Sequence, residues 1–192
     1  MDSLTRILGS LRYRGGQTAG HHWSTKWVHW AAAALLAYAG IINGEVSGAL
    51  YSASAMQTTT IVGIVMAALY AYLWFWVRGP GRGSRLLADA PSWERWLANT
   101  VHVGLYLGIA AALLSGFAMA YWASTDLVVF APAHRILQMS ARFDAMRDFH
   151  AFSAGVVGWL FGLHLVGALW HRIVRRDGVM QSISLLKPGA TA

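Results

Sequence analysis

Apolar residues gather into four long stretches, at about 27–42, 58–77, 97–122 and 150–174, separated by segments rich in charge and glycine. Runs of this kind approach or exceed the roughly 18–20 apolar residues that cross a bilayer as a helix. An isolated strand in lipid leaves its backbone unpaired, so each stretch predicts a transmembrane helix. Ser24 is a candidate N-cap for the first helix. The RGPG sequence at 78–81 ends the second, because its proline and glycines break a helix. The expected fold is all-α: an integral membrane four-helix bundle. It divides into a basic arm at 1–22, a helical domain at 23–178 and a tail at 179–192. The connection at 123–149 has room for a short amphipathic helix around 134–146. There is no internal repeat and no low-complexity tract.

Composition supports the membrane assignment. The 192 residues are 56% hydrophobic and 12% charged, where a soluble domain carries about 25% charge. Residues 1–22 contain no apolar core, so the first span rather than a cleaved leader is the expected insertion signal. The net charge of +7 would suggest a nucleic-acid partner in a soluble chain. Here the basic residues flank the spans, so topology explains them and no nucleic-acid partner is expected. Arg6, Arg12, Arg14 and Lys26 precede the first span; Arg78, Arg82, Arg85 and Arg95 follow the second; Arg172, Arg175, Arg176 and Lys187 follow the fourth. The first connection has no basic residue, and the third balances Arg135, Arg142 and Arg147 with Asp126, Asp144 and Asp148. The positive-inside rule then places both termini in the cytoplasm. Trp23, Trp27, Trp76, Trp96, Trp122 and Trp170 stand near span ends, as interfacial belts require.

Candidate chemistry centres on histidine. His150 and His164 are four helical turns apart on one face of the fourth span, about 21 Å along its axis. Ionisable side chains inside a membrane are expensive and mark function by default. With no cysteine in the chain, disulfides, thiolate-held iron–sulfur clusters and covalently attached c-type haem are excluded. The first span runs outward and the fourth inward, which brings His29 and His164 to similar depth. Two imidazoles there could hold one haem iron from opposite sides and give a low-spin centre suited to electron transfer. Hydrogen bonding of each histidine to a neighbouring helix is the alternative. Gly155, Gly158, Gly162 and Gly167, with the alanine run at 31–34, are candidates for letting a flat macrocycle approach the backbone, or are plain packing faces.

Over residues 24–182 the chain resembles the bacterial cytochrome b561 family and the related cytochrome b subunits of Ni-hydrogenase and formate dehydrogenase. Three pieces carry the resemblance. They are KWVHW in the first span, HVGLYLGIAAALLSG in the third, and the paired histidines of the fourth followed by GLHLVGALWHR. The resemblance implies four spans in the bacterial inner membrane, b-type haem, and electron exchange with quinone or a partner redox protein. It gives His29 and His164 as axial ligands of the haem iron on the cytoplasmic side. His102, His171, Arg95, Lys26 and Arg172 become candidates for propionate or quinone contacts.

The chain departs from the family at the periplasmic haem. His150 is present, but Thr59 stands where the second span's ligand belongs, and Leu73 and Val77 replace basic residues later in that helix. Met56 and Met119 lie at suitable depth but are ordinary packing residues in such helices. One haem is therefore favoured over two, with an unligated His150 acting as a hydrogen-bonding residue. The leading function is a membrane carrier of single electrons between the quinone pool and another redox centre. Superoxide oxidation, known in the family, is not favoured by near-neutral outer connections. The alternative is a cytochrome-derived accessory subunit anchored in a larger membrane complex. Without buried carboxylates or broken helices, a transporter is disfavoured.

Overall fold

A computed structural model describes residues 21–42, 53–78, 90–122 and 140–185, and all its regular structure is helical. Four long helices follow one another: α1 (Trp23–Ile42), α2 (Ala53–Arg78), α3 (Ser92–Trp122) and α4 (Ala141–Trp170). A π-helical turn, His171–Arg175, extends α4, and a short helix α5 (Val179–Ile183) closes the described chain. Most of the basic arm, Met56's side chain and residues 134–139 of the expected amphipathic helix lie outside the described residues.

Three described segments are long and apolar enough to cross a membrane: Gln57–Trp76, Ser92–Trp122 and Ala141–Arg175. The first expected span is helical, but its described residues do not form one of these segments. Its opening turns carry Ser24, Thr25, Lys26 and His29 beside three tryptophans, and these lower its mean hydropathy. Among the described residues the buried apolar side chains are Ala32, Met66, Ala90, Val101, Phe143 and Val157. Large apolar side chains point outward instead; Trp159 and Tyr121 are each 81% exposed. A continuous apolar exterior of this kind is unfavourable in water and at home in lipid.

All four long helices begin earlier than hydropathy predicts, α4 by the most. α3 starts at Ser92 rather than near 97, and α4 at Ala141 rather than His150. The charges at 142–148 belong to helix, not to a connection. Ser140 caps α4 by accepting the Phe143 amide N–H at 3.2 Å, and Phe143 is buried. Asp144 sits in the first turn, where a negative charge opposes the helix dipole. Arg147 pairs with Asp144 at 3.0 Å and Asp148 at 3.2 Å. These exposed pairs add only a few tenths of a kcal/mol each, but they let the helix continue through a charged segment. Ser140→Ala is expected to destabilise the start of α4 by about 0.5–2 kcal/mol, read as faster amide exchange at 141–146 while the centre of α4 is unchanged.

The long helices run alternately up and down. The start of α1 meets the end of α2, where the Tyr72 hydroxyl donates to Ser24 Oγ at 2.6 Å and Tyr72 stacks on Trp76. The start of α3 meets the end of α4, where Arg175 lies 3.4 Å from Glu94. The principal interfaces are α3 with α4 and α1 with α2, with lighter contact between α2 and α3. α3 and α4 approach closely because α3 offers glycine. A Cβ at Gly108 would lie 2.8 Å from Val157 Cγ2, and one at Gly104 would lie 2.9 Å from Leu160 Cδ1.

Two of the four α4 glycines lie away from the histidine side of that helix. Nothing lies within 4 Å of a Cβ built at Gly155, Gly158, Gly162 or Gly167. At 3.6 residues per turn, Gly155 and Gly162 fall on the side of the helix opposite His164. They face outward rather than towards the histidines.

At the shared end of α1 and α4 the chain doubles back. Arg176 adopts a left-handed conformation (φ 50°), as does Gly178 (φ 82°). This reverses the chain after α4, so α5 lies against the start of α1. The His21 amide donates to Ser182 O at 3.1 Å, Lys26 Nζ to Ser184 O at 3.1 Å and Trp30 Nε1 to Ile183 O at 3.0 Å.

Candidate functional site

Three helices each bring one histidine to the same place. His29 stands in the second turn of α1, His102 in α3 and His164 in the last third of α4. The His29 and His164 ring centres are 6.0 Å apart with planes inclined at 60°. The His102 ring lies 5.0 Å from that of His164, nearly perpendicular at 82°. Depth matching from the sequence had paired His29 with His164; the structure adds His102 as a close third.

The three imidazoles are held differently. His102 Nδ1 lies 2.6 Å from the Ala98 carbonyl one turn earlier. It donates there, so in the neutral ring Nε2 carries the lone pair. His29 Nδ1 is buried and makes no hydrogen bond. An unpaired buried nitrogen is worth about 1–3 kcal/mol of lost solvation, so this atom is short of a partner. His29 and His164 also meet where helix packing is thin, because among the described residues α1 and α4 form no interface like that of α3 with α4.

The donor set limits what this site can hold. Among the described residues no group of three or more His, Cys, Asp or Glu is arranged to bind a metal ion. Two neighbouring imidazoles would suit a metal that arrives with most of its ligands already supplied. Two rings bound to one ion by bonds of about 2 Å have centres roughly 6 Å apart, which the His29–His164 separation matches.

His150 is not part of this cluster. It lies toward the other end of α4, in the seam with α3. Its Nδ1 is 2.8 Å from the Ala112 carbonyl and 3.1 Å from Ser115 Oγ, and its Cε1 would be 3.5 Å from a Cβ at Gly116. It donates to an α3 carbonyl and so ties the two helices together. Thr59, the residue in place of the expected partner, is exposed on α2.

The remaining candidates gather at the end near α5. His171 Nδ1 donates to Asp177 Oδ2 at 2.6 Å. Lys26 donates to the Ser184 carbonyl. Arg95 and Arg172 are exposed at the same end. Tyr106, one turn beyond His102, joins Tyr70 and Trp74 in an aromatic cluster between α2 and α3, with ring centres 5.6–5.8 Å apart.

Sequence reasoning missed Glu94, Arg175 and Asp177. Glu94 and Asp177 are buried although charged. Glu94 and Arg175 form an ion pair at 3.4 Å, and Arg175 Nε lies 4.0 Å from Asp177 Oδ2. The Asp177–Gly178 dipeptide was the available signal, since Asp-Gly marks a turn; nothing in the sequence showed that the turn would fold back on α1.

A family model described as prokaryotic cytochrome b561 matches residues 20–184. No curated protein and no solved structure matches the chain.

Proposed function

Because the chain belongs to the prokaryotic cytochrome b561 family, we propose that it carries single electrons through one haem whose iron is held by His29 and His164. As a member of that family it is a multi-pass membrane b-type cytochrome of electron transfer. The observation that carries the finer reading is the 6.0 Å separation of these two rings on helices that barely touch elsewhere. The buried, unpartnered Nδ1 of His29 supports it.

Haem b supplies a one-electron iron couple when bound. The chain's residues supply the surroundings of that couple. His29 and His164 would hold the iron between them, and with both imidazoles engaged the group would supply electron transfer rather than bond chemistry on a substrate. The apolar helices exclude water and so tune the potential. His102, held by the Ala98 carbonyl, orients against His164 and limits the tilt of that ring. Lys26, Arg95 and Arg172 give the adjoining end the positive charge that propionates would pair with. We assign this end to the cytoplasm from the positive-inside rule and the membrane to the bacterial inner membrane. α1 is then the fourth span, its polar first turns lying at the interface.

A second haem is not favoured. His150 bonds α3, and α2 offers Thr59. His150→Ala is expected to leave haem per chain unchanged while lowering thermal stability by about 1 kcal/mol, the worth of one interhelical hydrogen bond. Haem per chain falling by half would establish a second site.

We further propose quinone as the electron partner on one side and another redox centre on the other. Reduction of the purified cytochrome by a short-chain quinol tests this, with a sharp reduced b-type band as the expected result. The second reading, an accessory subunit in a larger complex, draws on the outward glycine face of α4 beside exposed Trp159. A haem that quinol fails to reduce would favour it.

A further inference from the structure

The fold-back after α4 joins α1 to the α3–α4 pair, with which it otherwise shares little contact. Asp177 is its centre. One carboxylate oxygen accepts His171 Nδ1 at 2.6 Å and lies 4.0 Å from Arg175 Nε. The other accepts the Val179 amide at 3.2 Å, which fixes the start of α5. Arg175 in turn reaches Glu94 at the start of α3. On its far side the segment 182–184 receives three hydrogen bonds, donated by the His21 amide just before α1 and by Lys26 Nζ and Trp30 Nε1 within it. A continuous run of polar contacts thus links α1 to α3 and α4 through α5.

Two features suggest more than a frayed helix end. The turn spends strain: Arg176, a non-glycine residue, sits in the left-handed region, and such conformations persist only where surrounding contacts over-determine them. The helix also changes from α to π at His171–Arg175, with the Arg176 amide bonding the His171 carbonyl at 2.8 Å. That change sets where His171 and Arg175 meet Asp177. Trp30, one of the three donors, directly follows His29 and packs edge-on against its ring, 5.9 Å between centres.

We propose that the turn at 171–184 is a positioning clasp, in which Asp177 ties the start of α1 to the start of α3 and the end of α4 and so sets the separation of the His29 and His164 rings. The ring-setting part rests on the bis-histidine reading above; the clasp itself does not. Asp177 acts through other residues and is a positioning residue only.

The test uses the full chain. It has no cysteine, so Ala34→Cys on α1 and Val166→Cys on α4 provide the only two thiols for spin labels. Both positions are exposed. Label-to-label distances are measured in cofactor-free protein for this background and for Asp177→Ala, Asp177→Asn and Lys26→Met added to it. The clasp predicts a broader, outward-shifted distribution for Asp177→Ala and for Lys26→Met. It predicts no further shift in the double variant, because both break one chain of contacts. Asp177→Asn should fall between, since an amide oxygen still accepts a hydrogen bond, and this variant keeps the test open if alanine prevents folding. In haem-loaded protein the same variants should shift the low-spin ferric signal, whose shape follows the angle between two axial imidazole planes. An unchanged distance distribution in Asp177→Asn and Lys26→Met, or shifts that add in the double variant, overturns the clasp. A wild-type ferric signal that is not bis-imidazole overturns the haem reading instead and leaves the distance result to decide the clasp.

Discussion

Replacing His164 with alanine is expected to leave a helical bundle that no longer retains haem. The variant loses one of two axial donors and, with it, the cofactor's link between α4 and α1. Removal of an outer partner alone commonly costs a metal site roughly 10–100-fold in affinity; loss of a ligand should cost more. His29→Ala should do the same. The check is haem per chain in purified protein, read from the visible spectrum, beside circular dichroism for retained helix. His102 tempers the expectation in an informative way. It lies 5.0 Å from His164, and its Nδ1 is engaged by Ala98. Should His164→Ala keep a low-spin haem that the further change His102→Ala then removes, His102 would be a ligand and the axial pair would need reassignment.

The second large effect is expected at Gly108. Its missing Cβ would lie 2.8 Å from Val157 Cγ2. Val157 is buried and β-branched, and its χ1 in a helix has one strongly preferred setting. It cannot swing aside, so α3 and α4 must separate. Gly108→Ala should then destabilise by about 1–3 kcal/mol, and Gly108→Leu should prevent stable folding of the pair. Gly104→Ala should be milder, because the atoms it meets are the end of the longer Leu160 side chain. Gly155→Ala meets open space and should be neutral or mildly stabilising, since alanine favours helix over glycine. Thermal midpoints of the four variants check the order. Equal losses at Gly108 and Gly155 would show that the α3–α4 seam is not where the structure puts it.

Much of this architecture is legible in the sequence. Hydropathy found the four long helices among the described residues, and Tyr72–Ser24 and Arg175–Glu94 show α1 antiparallel to α2 and α3 antiparallel to α4. Depth matching of His29 with His164 anticipated two rings that are indeed neighbours. What hydropathy cannot register is polarity satisfied inside a helix. Arg142, Asp144, Arg147 and Asp148 read as a connection because each is charged; capping and local pairing make them the opening turns of α4. The glycines of α4 look like a cofactor cradle when only their number is considered. Their phase around the helix sets Gly155 and Gly162 against the side opposite His164, and the close approach is made by Gly104 and Gly108 on the partner helix. The fold-back at Asp177 depends on a turn meeting α1 from the far end of the chain, a contact between residues about 150 positions apart. No local pattern encodes it.

Two imidazoles, from the first and the last of the four long helices, are proposed to hold one haem iron. Near-infrared magnetic circular dichroism of the oxidised, purified cytochrome tests it most directly, because the low-spin ferric charge-transfer band reports the chemical identity of both axial ligands. The account predicts a band of the imidazole–imidazole type that disappears in His29→Ala. A histidine–methionine band, a high-spin ferric spectrum, or a bis-imidazole band that survives the loss of His29 would contradict it.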